Sequence, residues 1–218
     1  MSVALRGRLT LAALAIALVA AAAYIAWRPA PSTDAPRRAD AARLMNDLMS
    51  GKVPVGGPFT LTDQRGKRVS LADFRGQVVA LYFGYTFCPD VCPTDLNAIA
   101  GMIELLGADG ARVQPVFVTL DPERDTPARI GPYVESFNPR FVALSGDASE
   151  IRDVATAYKV YFEKVRQPGA SGYLIDHTAF TYIIDAQGRY AGFFPPGTSG
   201  ERMATLVREV LAMKSPAS

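Results

Sequence analysis

Three short apolar runs, each followed by a helical pattern, occupy the middle of the chain. The runs are VVALYF (78–83), VQPVFVTL (113–120) and FVAL (141–144). Apolar runs of this length that are rich in β-forming residues are typical of strands covered on both faces. Apolar residues at helical spacing follow each run: Leu96, Ile99, Ile103 and Leu106, then Ile130, Tyr133, Val134 and Phe137, then Ile151, Val154 and Tyr158. The alternation predicts a three-layer α/β fold whose central strand is 78–83.

Two hairpins and a C-terminal helix complete the predicted domain. Apolar and polar residues alternate over 59–71 and again over 180–194, each time with a turn in the middle, so a β-hairpin is predicted at each place. Helical spacing of apolar residues over 203–211 predicts a final helix. Asp147 and Glu150 match the capping box that begins a helix. The domain is therefore expected to begin with a hairpin, at 59–71.

The N-terminal segment 9–27 has no charged residue and is bracketed by arginines. It is longer than the apolar part of a signal peptide, about 7 to 15 residues, and it ends with the interfacial residues Tyr24 and Trp27. These features predict one uncleaved transmembrane helix. The alternative is a signal peptide cleaved near Ala23.

A transmembrane helix at 9–27 divides the chain into four parts. Residues 1–8 are expected in the cytoplasm, 28–52 as a proline-containing tether, and 53–214 as the exported domain. Because the start lacks an arginine- and serine-rich amphipathic presequence, we expect a single-pass protein of the bacterial inner membrane with its domain in the periplasm. Twenty-three Lys plus Arg against 21 Asp plus Glu leave a formal charge of +2, which gives no support for a nucleic-acid partner.

Both cysteines of the chain lie in GYTFCPDVCPTDL (84–96), directly after the central strand. If Pro93 occupies the first helical position, Cys92 lies near the N-cap, where free N–H groups and the helix dipole stabilise a thiolate. Cys92 is then predicted to be the more acidic thiol. Side chains four residues apart on a helical turn approach to about 5 to 6 Å, which allows either a disulfide or two sulfurs on one ion. A purely structural disulfide is disfavoured, because so small a loop removes little chain entropy.

His177 is the only histidine, and it directly precedes a predicted strand. Two thiolates and one imidazole are too few for a closed structural zinc site, which takes four ligands. They suit copper, because thiolates select Cu(I) and an added nitrogen makes a Cu(II) state accessible. Asp176 is either an outer partner of this histidine or a solvated turn residue. The competing interpretation of His177 is a hydrogen-bonded structural residue.

The charged segment LDPERDTP (120–127) follows the second apolar run. It predicts a turn and a helix start, with Thr126 at the N-cap and Pro127 at the first helical position. Asp121 is the residue of this segment that could instead contribute to the rim of a site. Among the aromatic residues around the cysteines, Phe87 is expected to be the exposed one.

Three motifs in this order resemble the Sco/SenC family: YFGYTFCPDVCPTDL, VTLDPERDTP and DHTAFTYIIDAQG. The resemblance covers roughly residues 55–211. It implies a membrane-anchored, thioredoxin-like domain that binds copper through Cys88, Cys92 and His177. It also implies a role in delivering copper to the binuclear copper centre of cytochrome c oxidase, or in keeping the cysteines of that centre reduced.

Two classes of function remain open from the sequence. The favoured one is a metallochaperone that binds Cu(I), with Cu(II) as a second state, and whose partners are the copper-bearing subunit of the oxidase and other copper carriers. The alternative is an enzyme, a thiol-disulfide oxidoreductase or peroxidase, with Cys88 and Cys92 as its redox pair. Thioredoxin-type enzymes normally have two residues between the cysteines, whereas three intervene here, so the spacing favours the chaperone.

Overall fold

The computed structural model describes residues 17–21, 23, 24, 43, 46, 47, 52–166 and 172–213. The chain divides into two compact units, Met1–Pro54 and Val55–Ser218. In the first unit, residues 17–21, 23 and 24 are helical. The predicted cytoplasmic end 1–8 lies outside the described residues, as do most of the span 9–27 and most of the tether 28–52. Among the residues that are described, none belongs to a helix long and apolar enough to cross a membrane.

The second unit alternates strands and helices as the apolar runs predict. Its described strands are β1 (Thr60–Asp63), β2 (Arg68–Ser70), β3 (Val78–Gly84), β4 (Val113–Thr119), β5 (Val142–Ser145), β6 (Phe162–Val165), β7 (Leu174–His177), β8 (Thr181–Ile184) and β9 (Tyr190–Phe194). Its described α-helices are α1 (Val91–Leu105), α2 (Pro127–Glu135), α3 (Ala148–Ala157) and α4 (Gly200–Ala212). Short 3-10 segments cover Leu71–Phe74 and Gly107–Arg112.

Seven of the described strands form one mixed sheet in the order β2-β1-β5-β4-β3-β8-β9. The three strands of the apolar runs, β3, β4 and β5, are parallel, and both hairpins join the sheet antiparallel. Every residue of β3 is buried, as expected for a strand inside the sheet. Strands β6 and β7 pair with each other as a separate two-stranded ribbon.

Helices cover both faces of the sheet, which confirms the three-layer prediction. Consecutive strand residues point to opposite faces. The Tyr82 hydroxyl donates to Asp95 of α1, whereas the Phe83 ring lies 5.6 Å from the ring of Tyr158, which follows α3. Helix α4 packs on α1, and Gly200 allows this close approach because a Cβ there would come within 2.8 Å of the Ala98 carbonyl oxygen.

Most local predictions are confirmed, and two need correction. The capping box of Asp147 and Glu150 begins α3, and Thr126 and Pro127 take the N-cap and N1 positions of α2. Helix α1, however, begins at Val91 rather than at 93. Proline is compatible with the third helical position, because the N–H groups of the first turn have no acceptor inside the helix. The second correction is the β6–β7 ribbon, which the sequence did not predict.

Candidate metal centre

The cysteines lie where the interior strand β3 ends and α1 begins. Strand β3 stops at Gly84, and the Cys88 N–H donates to the Tyr85 carbonyl oxygen at 3.2 Å, which closes a turn. Cys92 is the second residue of α1 and is fully buried, whereas Cys88 precedes the helix and is half-buried. The site therefore lies at the carboxyl end of a parallel strand, where α/β sheets place their sites.

His177 meets the two cysteines from a different part of the chain. It is the last residue of β7 and precedes β8, and its Nε2 lies 3.5 Å from the Cys92 Sγ. The ligand atoms of Cys88, Cys92 and His177 all lie within 4.8 Å of one another, and they could hold a metal ion. Both cysteines are free thiols, so the disulfide that their spacing permits is not formed.

The surroundings of His177 fix the direction of its ring. Its Nδ1 lies 3.2 Å from the Thr178 carbonyl oxygen, and its ring packs edge-on against Tyr85 with the centroids 5.9 Å apart. A proton on Nδ1 would donate to that carbonyl and leave the Nε2 lone pair facing the thiols. Asp176, considered from the sequence as an outer partner, is exposed on β7, and the recorded partner of Nδ1 is the Thr178 carbonyl oxygen.

The two thiols differ in acidity, in the opposite sense to the sequence prediction. Hydrogen bonding to the side chain of Cys92 first, then to the side chain of His177 and to nearby backbone N–H groups, lowers the pKa of Cys88 to about 4, although burial opposes the shift. The pKa of Cys92 is raised, because its proton is held by the Cys88 sulfur and because the group is buried. Helix α1 begins after its N-cap Asp90, and the Cys92 N–H in its first turn points at the Cys88 sulfur at 3.4 Å, so the free N–H end of the helix favours a thiolate on Cys88. Cys88 is thus the more acidic thiol.

The donor set fits a soft metal ion. Ligands at about 2.0 to 2.3 Å from a three-coordinate ion would lie about 3.8 Å apart. The Cys92–His177 separation of 3.5 Å and the 4.8 Å limit for the whole group bracket that value, so small side-chain adjustments suffice. Two sulfurs and one imidazole nitrogen match the ligands that copper accepts in its two oxidation states.

Comparisons with known proteins place this chain in a family. The profile of the SCO1/SenC family matches residues 48–212. The SCO2-like protein RP587 of Rickettsia prowazekii is 39% identical over 163 residues, which cover 74% of this chain and 80% of the relative. The chain belongs to the SCO1/SenC family.

Solved structures of family members share the fold of the domain. The structure of Bradyrhizobium japonicum ScoI with copper bound is 42% identical, with a TM-score of 0.66, and the match covers 72% of this chain and 99% of that one. Yeast Sco1 with copper bound is 31% identical, with a TM-score of 0.68, over 76% of this chain and 92% of that one. The thioredoxin-like Sco fold expected from the resemblance is thereby confirmed.

In this chain, a shallow groove at the surface leads to Cys88 and His177. Its volume is about 380 Å³, and Cys88 and His177 line it together with Pro89, Val91 and Leu174. The half-buried Cys88 faces the groove, whereas the buried Cys92 lies behind it. A partner would therefore reach Cys88 and His177 before Cys92.

Two buried carboxylates support the centre, and the sequence analysis did not single them out. Asp95 accepts from the Tyr82 hydroxyl at 3.2 Å and from the Gly197 N–H at 2.9 Å, and burial raises its pKa. Asp125 accepts from the Thr86 N–H and hydroxyl, two residues before Cys88. In the sequence, Asp95 is an acidic residue close to a cysteine, and Asp125 follows a buried strand. Acidic residues at such places are also common in exposed turns, so the pattern does not identify buried carboxylates.

Burial decides between the alternative roles of the other residues that the sequence singled out. Phe87 is 42% exposed, whereas Tyr82 and Tyr85 are core residues, as predicted. Asp121 is fully buried, with Arg124 and the Tyr173 hydroxyl as its partners. It therefore lies behind the rim of the site and not on it.

Proposed function

We propose that this protein is a copper-binding metallochaperone that helps to assemble the binuclear copper centre of cytochrome c oxidase. The observation that carries the proposal is the convergence of Cys88, Cys92 and His177 within 4.8 Å at the edge of an open groove. Copper bound to two family members of similar fold supports copper as the ion.

Each of the three residues has a distinct role in the proposal. Cys88 supplies a thiolate at neutral pH without further activation, because its pKa is lowered to about 4. Cys92 must lose its proton when the ion binds, since a metal ligand has to be a thiolate. The Nε2 of His177 supplies the nitrogen that a Cu(II) state requires, and the Thr178 carbonyl keeps the ring in place.

Exposure of the ligands suits a carrier that gives up its ion. A closed structural site surrounds its metal, whereas here two of the three ligands line a groove open to solvent. A cysteine of the receiving protein can therefore replace Cys88 or His177 in the copper shell, one ligand at a time. The copper-bearing subunit of the oxidase and other copper carriers are the proposed partners.

The proposed location follows from the N-terminal sequence. Residues 9–27 anchor the chain in the bacterial inner membrane, 1–8 stay in the cytoplasm, 28–52 form the tether, and 53–214 form the periplasmic domain. After alkaline carbonate washing, the chain should remain with the membrane and keep its original N-terminus. Release with a new N-terminus near Ala23 would show a cleaved signal peptide instead.

The second candidate is a thiol-disulfide oxidoreductase, and the acidity of Cys88 favours it specifically. The Cys88 thiolate would attack a disulfide of the partner, and Cys92 would then displace the partner's sulfur. The partner would gain two thiols, and this chain would end with a Cys88–Cys92 disulfide. The structure has both sulfurs close together and reduced, which this reaction also needs.

A transfer experiment distinguishes the two functions. The Cu(I)-loaded full chain is mixed anaerobically with the reduced, copper-free copper-bearing subunit, and each protein is analysed for copper and for thiols after separation. The chaperone predicts that copper moves to the subunit while both proteins keep their thiols. If copper stays in place, and the reduced chain instead opens a disulfide in the oxidised subunit, the oxidoreductase is correct.

A further inference from the structure

The segment 120–127 contacts the loop that carries the cysteines. The Asp125 carboxylate is buried, and it accepts from the Thr86 N–H at 3.0 Å and from the Thr86 hydroxyl at 2.5 Å. The guanidinium carbon of Arg124 lies 4.5 Å from the centre of the Phe87 ring. Since Thr86 and Phe87 immediately precede Cys88, these contacts fix the backbone that leads to the first cysteine.

The same segment also contacts the β6–β7 ribbon that carries His177. Arg124 Nη1 donates to the Tyr173 carbonyl oxygen at 2.9 Å, and its guanidinium carbon lies 3.7 Å from the Tyr173 ring centre. The Tyr173 hydroxyl donates to Asp121 at 2.7 Å. Lys164 lies 4.7 Å from the same ring and pairs with Glu123 at 2.7 Å. Lys164 is in β6 and Tyr173 directly precedes β7, so both strands of the ribbon are held.

Arg124 contacts both the cysteine loop, through Phe87, and the β6–β7 ribbon, through Tyr173. Cations and aromatic rings alternate through the cluster Arg129, Phe87, Arg124, Tyr173 and Lys164, and Arg129 lies 4.6 Å from the Phe87 ring. Arg124 also pairs with the buried Asp121. Only arginine can present a flat, permanently charged group to two rings and still donate in two directions.

The ribbon needs such a contact to hold its position. Among the described strands, β6 and β7 pair only with each other, so no backbone ladder joins them to the seven-stranded sheet. An isolated two-stranded ribbon is marginally stable in water. The position of His177 relative to the cysteines therefore depends on the short connection from β7 to β8 and on side-chain contacts, among which those made by Arg124 join the cysteine loop to the ribbon.

We propose that Arg124 is a positioning residue that fixes the His177-bearing ribbon against the cysteine loop and thereby tunes the centre for Cu(II) more than for Cu(I). The copper part of this inference rests on the proposed function. Its physical basis is that two thiolates alone can hold Cu(I), whereas Cu(II) needs the nitrogen and therefore a correctly placed ribbon.

Arg124→Lys is the test variant, because lysine keeps a positive charge beside Asp121 but lacks the planar guanidinium group that stacks on the two rings. Arg112→Lys is the matched control. Arg112 likewise pairs with an aspartate three residues earlier, Asp109, and donates to a distant carbonyl oxygen, that of Leu211, but these partners lie in neither the cysteine loop nor the β6–β7 ribbon. Phe87→Leu is a second test variant at a half-exposed position, so the inference stays testable if Arg124→Lys folds poorly.

The first measurement is amide hydrogen exchange of the reduced, metal-free full chain. Arg124→Lys should speed exchange in β6 and β7 about 10-fold, the effect of losing one hydrogen bond and a ring contact, while the interior strand β3 stays protected. Phe87→Leu should have a smaller effect in the same direction, and Arg112→Lys should leave the ribbon unchanged. Unchanged ribbon exchange in both test variants would overturn the inference, whatever copper does.

The second measurement compares the affinities for the two copper ions, together with the electron paramagnetic resonance spectrum of the Cu(II) form. Arg124→Lys should weaken Cu(II) binding about 10-fold, the lower end of effects for groups that orient metal ligands, and should alter the nitrogen coupling. Cu(I) affinity should change less than about 3-fold. Equal losses for both ions would overturn the inference, because the effect would not act through His177. If the wild-type chain binds neither ion, the proposed function fails, and the exchange measurement alone decides the positioning role.

Discussion

Gly84 is the residue whose substitution tests the packing behind the metal centre most sharply. An alanine Cβ at this position would lie 2.9 Å from the Cys92 Sγ, 2.9 Å from a ring carbon of Tyr82 and 3.1 Å from a ring carbon of Phe117. Ordinary contacts between such atoms are about 3.5 to 4.0 Å, so the methyl group would overlap three buried side chains by roughly 0.5 to 1 Å each. All three are fully buried and cannot move away without disturbing the core.

Overpacking of this kind costs about 1 to 3 kcal/mol, so Gly84→Ala should lower the free energy of unfolding by that amount. Gly101→Ala is the control, because Gly101 lies inside α1 and a Cβ there would meet nothing within 4 Å. Alanine is the better helix former, so this control should raise the free energy of unfolding by about 0.5 to 1 kcal/mol.

Urea unfolding of the reduced, metal-free chain, followed by circular dichroism, measures both effects, and the slope against urea should be the same in both variants. The same substitution is thus predicted to act in opposite directions at two glycines of neighbouring elements. If Gly84→Ala unfolds at the wild-type urea concentration, or if both variants shift in the same direction, the described packing of Cys92 against β3 is incorrect.

Three further predictions concern the cysteines and their support. Replacing Cys92 by alanine removes the side-chain hydrogen bond that lowers the pKa of Cys88 most, so the pH midpoint for alkylation of Cys88 by iodoacetamide should rise from about 4 towards the usual cysteine value. An unmoved midpoint would mean that Cys92 is not the main cause of the shift. Asp125→Ala leaves the buried hydroxyl of Thr119 and the half-buried donors of Thr86 without an acceptor and should lower the free energy of unfolding by about 2 to 4 kcal/mol, measured in urea; a loss below about 0.5 kcal/mol would contradict this. Oxidation to a Cys88–Cys92 disulfide should abolish copper binding, and reduction should restore it, as measured by metal analysis after gel filtration; stoichiometric copper on the fully oxidised chain would refute a shared site.

The sheet and the helices could be predicted because burial is visible in the sequence. The apolar runs at 78–83, 113–120 and 141–144 all became strands of the parallel core. The β6–β7 ribbon could not be predicted in the same way. Its first strand, Phe162–Val165, is mostly exposed and carries two charged residues, so neither an apolar run nor a clean alternation indicates it.

The three proposed ligands could be chosen from the sequence, but the acidity of the two thiols could not be predicted from it. Cys88, Cys92 and His177 do converge, although the ribbon that brings the histidine was missed. The acidity of the thiols was reversed because it depends on where α1 begins. A start at Val91 rather than at 93 places Cys92 inside the helix, so the free N–H groups point towards Cys88. A shift of two residues is below what sequence patterns resolve at helix ends.

The roles of Arg124, Asp125 and Asp95 were not predictable for a different reason. Each has a charged side chain near a turn or a helix start, where exposure is the usual outcome. Their partners lie far away in the sequence: Tyr173 for Arg124, Thr86 for Asp125 and Gly197 for Asp95. Such contacts are set by the tertiary structure and leave no local pattern.

The most direct test of the copper centre is an anaerobic Cu(I) titration of the reduced full chain and its ligand variants, with electron paramagnetic resonance of the Cu(II) forms. The wild type should saturate at one Cu(I) per chain, and Cys88→Ser or Cys92→Ser should remove most of the binding of both Cu(I) and Cu(II). His177→Ala should keep measurable Cu(I) binding, weakened at least about 10-fold, but should lose the well-defined Cu(II) spectrum. A wild type without saturable one-to-one binding would contradict the copper centre, and an unchanged Cu(II) spectrum in His177→Ala would show that His177 is not its nitrogen ligand.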